Sequence, residues 1–258
     1  EIVTSPATTI GASTATLNGV LNDLGSTTSV DVSFEYGTTP GSYSDCTTPV
    51  SMSSPGSFQQ TVNIDMCTNY YFRAKANGII TEYGGEKHFI STAQEVIGSK
   101  VYVSSSASGS NTGTSWSDAY TSLGCALIAA GSGCEVWVAE GIYTPLYEVG
   151  GSGPRYRAFQ MKNNVGIYGG FTSSGSPAWD QRDWRVYETI LSGEIGNPGT
   201  TTDNCYHVFH HPADSYLNNT AILDGFIIKG GNGNGDKDQR YGGGMYNVDS
   251  HPVLQNCL

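Results

Sequence analysis

Short apolar/polar alternations, each closed by a turn signal, recur along the whole chain, and they limit what it can fold into. Thr14-Ala15-Thr16-Leu17-Asn18-Gly19-Val20 and Val30-Asp31-Val32-Ser33-Phe34-Glu35-Tyr36 alternate with period two. Phe58–Ile64, Tyr70–Ala76 and the stretch from Thr81 to Phe89 follow the same rule. Between them stand Asp23-Leu24-Gly25-Ser26, Thr39-Pro40-Gly41-Ser42, Ser54-Pro55-Gly56-Ser57 and Tyr83-Gly84-Gly85. A side chain that changes face at every residue belongs to a strand with one face buried, and Gly, Pro, Asn and Ser supply the turns. The expectation is an all-β chain of many short strands.

Composition agrees. The 258 residues include 34 glycines but only 12 lysines and arginines, which suits tight turns rather than long helices. The formal net charge of -11 repels a phosphate backbone, so nucleic acid is not an expected partner. No stretch approaches the ~20 apolar residues of a bilayer-spanning helix. The chain begins at Glu1, as after removal of a signal peptide or in an engineered segment. Six cysteines, Cys46, Cys67, Cys125, Cys134, Cys205 and Cys257, form no C-x-x-C pair. Zinc-ribbon and thioredoxin readings are therefore poor, and disulfides in an oxidising compartment are expected.

Two parts are expected, 1–94 and 95–258. The first resembles the fibronectin type III family over residues 5–92. The resemblance rests on Ala15-Thr16-Leu17-Asn18-Gly19, Phe34-Glu35-Tyr36-Gly37-Thr38 and Tyr70-Tyr71-Phe72-Arg73-Ala74-Lys75-Ala76. It implies a β-sandwich with Tyr70 as the tyrosine corner. The loop before Tyr70 departs from the family's Pro-Gly turn. In that fold Cys46 and Cys67 come to the same end, which implies a Cys46–Cys67 disulfide.

After a polar boundary at 91–99, a helix is predicted from a Ser117 cap through Ala119, Leu123, Ala126, Leu127 and Ala130 to Gly131. Cys125 and Cys134 flank its end and are expected to pair; Cys205 and Cys257 either bridge or stay free. Ile167, Ile190, Val208, Ile227 and Met245 then recur about every twenty residues, a spacing that suggests stacked rungs with these side chains inside. Tyr143–Tyr156 and Gly230–Tyr241 would be insertions.

This part resembles the right-handed parallel β-helix family of prokaryotic surface proteins, related to the polymorphic outer-membrane-protein repeats. The matching residues include Gly113–Tyr120, Val136–Pro145, Gly166–Phe171, Arg182-Asp183-Trp184, Ile190–Gly193, Leu223–Phe226 and Gly242–Asn247. The match runs from about residue 100 to 258. It implies a right-handed parallel β-helix with a short N-terminal capping helix, incomplete at its C-terminal end near Leu258.

Such helices also carry polysaccharide lyases and hydrolases, which need converging carboxylates. Glu194, Asp203, Asp224, Asp236, Asp238 and Asp249 are the candidate carboxylates for this role; Asp224 reads as a turn carboxylate, and no catalytic residue is assigned. Asp236 and Asp238 are candidates for calcium, and no other cofactor is expected. His207, His210 and His211 have no acidic neighbour in sequence. Tyr147, Arg155, Tyr156, Trp179 and Trp184 are candidate contacts for a ligand or partner. Asn218 heads a glycosylation sequon. The expected function is an extracellular, self-assembling building block of a prokaryotic cell-surface layer, sheath or filament, partnered by itself or by other envelope components. The alternatives are an adhesin that binds glycans or another cell, and a fragment of a β-helix polysaccharide lyase or hydrolase.

Overall fold

The computed structural model describes residues 1–258. The chain is β-rich with a single α-helix, and it divides into two compact units, Glu1–Gln94 and Glu95–Leu258.

In the first unit every pairing is antiparallel. β1 (Ile2–Thr8), β2 (Thr14–Leu21) and β6 (Gly56–Asn63) form one sheet. β3 (Val30–Gly37) and β7 (Asn69–Asn77) centre the other, with β4 (Asp45–Cys46) and β5 (Val50–Met52) on β3, and β8 (Thr81–Tyr83) and β9 (Lys87–Ile90) on β7. The two sheets share one core, in which Leu17 and Leu21 of the first join Phe34 and Phe72 of the second. The alternations in the sequence place these side chains inward, as period two requires. β1 shows no such signal, because Pro6 and a register shift between Ser5 and Thr8 interrupt it. The Tyr70 hydroxyl accepts the Asp65 N–H at 3.0 Å.

The second unit is built from parallel strands. β10 (Lys100–Val103), β11 (Glu135–Ala139), β13 (Val165–Phe171), β16 (Ala221–Asp224) and β19 (Val253–Gln255) lie in that order in one sheet. A second sheet runs β12 (Gly141–Tyr143), β14 (Thr189–Ser192), β17 (Ile227–Lys229). A third pairs β15 (Phe209–His211) with β18 (Met245–Asn247). From β13 onward, successive strands go to the first, second and third sheet in rotation. The inward column of the first sheet, Val101, Val136, Ile167 and Leu223, is in register and at most 1% exposed.

The rotation corrects the twenty-residue period. Ile167, Ile190 and Val208 lie in or beside strands of three different sheets, so this interval measures the step from sheet to sheet. True neighbours are further apart: Ile190 pairs with Ile227 and Phe209 with Met245. Ile190 and Ile227 are also one residue off the inward column. They are in register with Ile142, which is 60% exposed, while the adjacent Tyr143 and Leu191 point inward and are buried.

The helix starts later than predicted. α1 spans Leu123–Ala129, with Ser122 at its N-cap. Asp118 draws Ser110, Ser115 and Ser117 into a turn, and Tyr120 bridges in parallel to Val103. Residues 117–121 are thereby held out of helical geometry.

Candidate functional site

The outer face of the first parallel sheet carries an aromatic cluster. In each strand the residue between two inward side chains must point outward, and Tyr102, Trp137 and Tyr168 occupy that position in register. Trp137 stacks on Phe171 at 4.8 Å, and Trp116 packs on Tyr102 and Phe171. Trp179, in a 3₁₀ turn at Trp179–Gln181, lies against Trp137 at 5.5 Å and Tyr168 at 5.0 Å. Trp137 is only 4% exposed, whereas Trp179 is 47% exposed. Lys100 Nζ sits 4.5 Å from the Trp137 ring centroid. The result is an aromatic cluster of mostly tilted and edge-on rings with cationic groups at its margin, in which the half-exposed Trp179 can stack on the apolar face of a planar or cyclic ligand.

Arg182 borders this surface, and its hydrogen bonds go to the protein. Nε donates to Gly169 O at 2.6 Å, and Nη2 donates to both Asp224 O and Asp224 Oδ1 at 2.9 Å. The pair is about nine-tenths buried, with 10% and 11% of the two side chains exposed. Asn256 Nδ2 donates to the same Asp224 Oδ1 at 2.8 Å. Asp224, the last residue of β16 rather than a turn residue, thus ties neighbouring parts of the chain together.

The other candidate contacts do not join Trp179. Arg155 stacks on Tyr206 at 4.1 Å and donates to Asn204 O, Asn232 O and Asn234 Oδ1. Tyr156 meets the same Tyr206 ring edge-on at 5.2 Å. Tyr147 packs beside Gly124 with its hydroxyl 3.5 Å from Cys125 Sγ, and burial pushes its pKa up to about 12. Trp184 packs against the backbone of Gly170 and Gly225, with the Arg185 guanidinium 4.1 Å over its ring.

The three histidines form a mostly buried group on the third sheet. His211 Nδ1 donates to Asn247 Oδ1 at 2.6 Å, and its Nε2 accepts the Met161 N–H at 3.0 Å. Burial lowers its pKa to about 4. His207 and His210 each place Nδ1 3.2 Å from a backbone carbonyl, of Gly242 and Val149 respectively. Their rings lie 5.2 Å apart, and both contact Tyr246. Burial lowers both pKa values.

Of the calcium candidates, Asp238 neighbours Tyr246, whose hydroxyl is raised chiefly by burial and then by that carboxylate. Asp236 stands at the N-cap position of the 3₁₀ turn Lys237–Arg240, with no side-chain capping bond. No group of three or more His, Cys, Asp or Glu side chains is arranged so as to hold a metal ion. Asn218 is exposed, and its Oδ1 accepts from Thr220 N and Oγ1.

The cysteine pairing differs from expectation. Cys46, Cys134, Cys205 and Cys257 are free thiols. Neither Cys46–Cys67 nor Cys125–Cys134 forms. Cys46 sits opposite Glu35 on β4 and is exposed, whereas Cys67 lies in a left-handed turn at φ 56° and bonds to Thr92 O. Cys134 Sγ is turned to Val96 O, 3.3 Å away. Cys205 is fully buried, and burial pushes its pKa up to about 12. Cys257 Sγ contacts Gln255 O and Leu223 O, so it does not bridge to Cys205.

No protein-family model matches the sequence, and no curated protein matches it. Among solved structures, the sensor domain of the anti-sigma factor RsgI4 of Pseudobacteroides cellulosolvens is similar at 19% identity. That match covers 35% of this chain and 74% of that one, with a TM-score of 0.31. A shorter form of the same sensor domain gives 20% identity over 35% of this chain and 92% of that one, also with a TM-score of 0.31. Likeness of this degree fixes neither fold nor activity. No helix is long and apolar enough to cross a membrane.

Proposed function

We propose that this chain is an extracellular structural module of a prokaryotic cell-surface layer, sheath or filament: a fibronectin-III-like sandwich joined to a right-handed parallel β-helix that associates with further copies or other envelope components. The observation that carries this reading is the use of polar side chains in the second unit. Arg182, Asn256, Asn204 and His211 each bond across to a different turn, at Asp224, Gly230 and Asn247. A stack stabilised by its nearest neighbours is extensible by repetition, which suits a wall element. Electron microscopy and sedimentation of the purified protein test it. Ordered polymers, or binding to isolated cell envelopes, are expected; a strictly monomeric particle that ignores envelopes would refute it.

A second reading rests on the aromatic cluster. Trp179, half exposed over Trp137 and Tyr168, suits stacking on a sugar ring, as in a glycan-binding adhesin. Glycan-array binding lost in Trp179→Ala would support it, and an array without signal for the intact protein would remove it.

A further inference from the structure

The corner between β15 and β16 holds the only Asn-x-Ser/Thr triplet in the 258 residues, Asn218-Asn219-Thr220. All three residues are exposed. A polar corner produces such a triplet by chance as well, so the geometry around it decides.

The Asn218 carboxamide is held in one orientation. Its Oδ1 accepts the Thr220 N–H at 2.9 Å and the Thr220 hydroxyl at 2.6 Å. A backbone N–H can only donate, which fixes that end of the amide as oxygen. Thr220 Oγ1 in turn accepts the Asn164 N–H at 2.8 Å. Asn163 completes the clamp: its Oδ1 accepts the Asn218 N–H at 2.8 Å, and its Nδ2 donates to Tyr216 O at 3.1 Å. Between them Leu217 is anchored, 4% exposed, with its N–H on Ser250 Oγ and its carbonyl accepting the His251 N–H. The backbone is pinned on both sides and Oδ1 is doubly engaged. Asn218 Nδ2 is the one polar end of this exposed side chain that no protein group takes up.

Tyr216 points to a ligand independently. It is 66% exposed, the highest of any Tyr, Trp or Phe, and its ring makes no hydrogen bond or ring contact. Its backbone lies at φ 40°, a left-handed conformation that Gly or Asn adopts at lower cost than Tyr. Nothing within the fold therefore selects an aromatic side chain here. Two residues span at most about 7 Å, so this bare ring stands within reach of whatever Asn218 Nδ2 carries, and an aromatic face suits the C–H face of a sugar.

We infer that Asn218 is a site of N-linked glycosylation and that the Tyr216 ring packs on the first sugar. The reaction joins Nδ2 to the anomeric carbon of a saccharide carried on a polyprenyl phosphate or pyrophosphate. The N–C1 bond forms and the C1–O bond to the donor breaks. The donor phosphate leaves with the electron pair, and Nδ2 gives up one proton to the transferase. The threonine hydroxyl belongs to the recognised motif, yet the finished corner engages it with Asn164. Transfer therefore precedes docking of this corner onto Asn163 and Asn164, and the closed corner leaves the glycan outside. The inference requires export past a transferase, but not polymerisation or glycan binding.

Peptide mapping by mass spectrometry tests the site in two materials: the full chain from its own cell surface, and the full chain secreted by an N-glycosylating yeast. A peptide containing Asn218 and bearing hexose or N-acetylhexosamine is expected in both. Asn218→Gln and Thr220→Ala should be secreted without sugar. Release of the glycan by an amidase should lower the parent Tm by about 2–4 °C and leave Tm of Tyr216→Ala unmoved. An Asn218 peptide recovered wholly unmodified from either material would overturn the inference, and an equal drop in parent and Tyr216→Ala would overturn the contact with the ring. A glycosylated protein that stays monomeric and ignores envelopes would refute the proposed assembly while leaving this site standing.

Discussion

His211 is held by two hydrogen bonds that require the neutral ring, one donated by Nδ1 and one accepted by Nε2. Burial keeps its pKa near 4 rather than the ordinary 6.5. Below pH 6.5 the unfolded chain takes up a proton that the folded chain refuses, so stability is complete above that pH and falls as the pH drops towards 4. The loss attributable to this residue is roughly 3 kcal/mol over the interval. Urea denaturation at a series of pH values measures it. His211→Gln, which retains a donor and an acceptor, should reduce the slope by up to one proton, with His207 and His210 contributing the remainder. The cysteines give a second expectation at this scale. A maleimide should label the exposed Cys46 in the native protein and leave Cys205 untouched, whereas non-reducing denaturation should expose all four free thiols.

Among the elements, the clamp between Arg182 and the β16 end carries the clearest energetic consequence. Removing the guanidinium leaves Asp224 buried without its partner, so Arg182→Met should destabilise the second unit by about 3–5 kcal/mol, read as a shift in denaturation midpoint. Element positions were legible in the sequence to unequal degrees. β2, β3 and β7 follow the period-two pattern almost residue for residue, because burial on one face writes itself into alternation. The start of α1 was hidden, since Ala119 fits helical spacing although its neighbour Tyr120 is held in a strand-like bridge to Val103. Cysteine spacing said nothing about direction, and Cys134 turned to a carbonyl of Val96.

For the whole molecule, the approximate twenty-residue rhythm of the second unit was real but named the wrong neighbours. A chain that deals strands to three sheets in rotation shows one rhythm along its length and a longer one across its stack. In the first sheet, Val136 is paired with Ile167 and Leu223 with Leu254, offsets of 31 residues, whereas Ile167 and Leu223, also partners, stand 56 apart. The extra length is absorbed where the chain turns from one sheet to the next, in stretches that include Trp179 and the Glu194–Asn204 loop. Descendants of such a gene can therefore lengthen or replace these corners while the ladder keeps its register. The corners are where this architecture has room for novelty, and two related chains could share every ladder contact while differing in length.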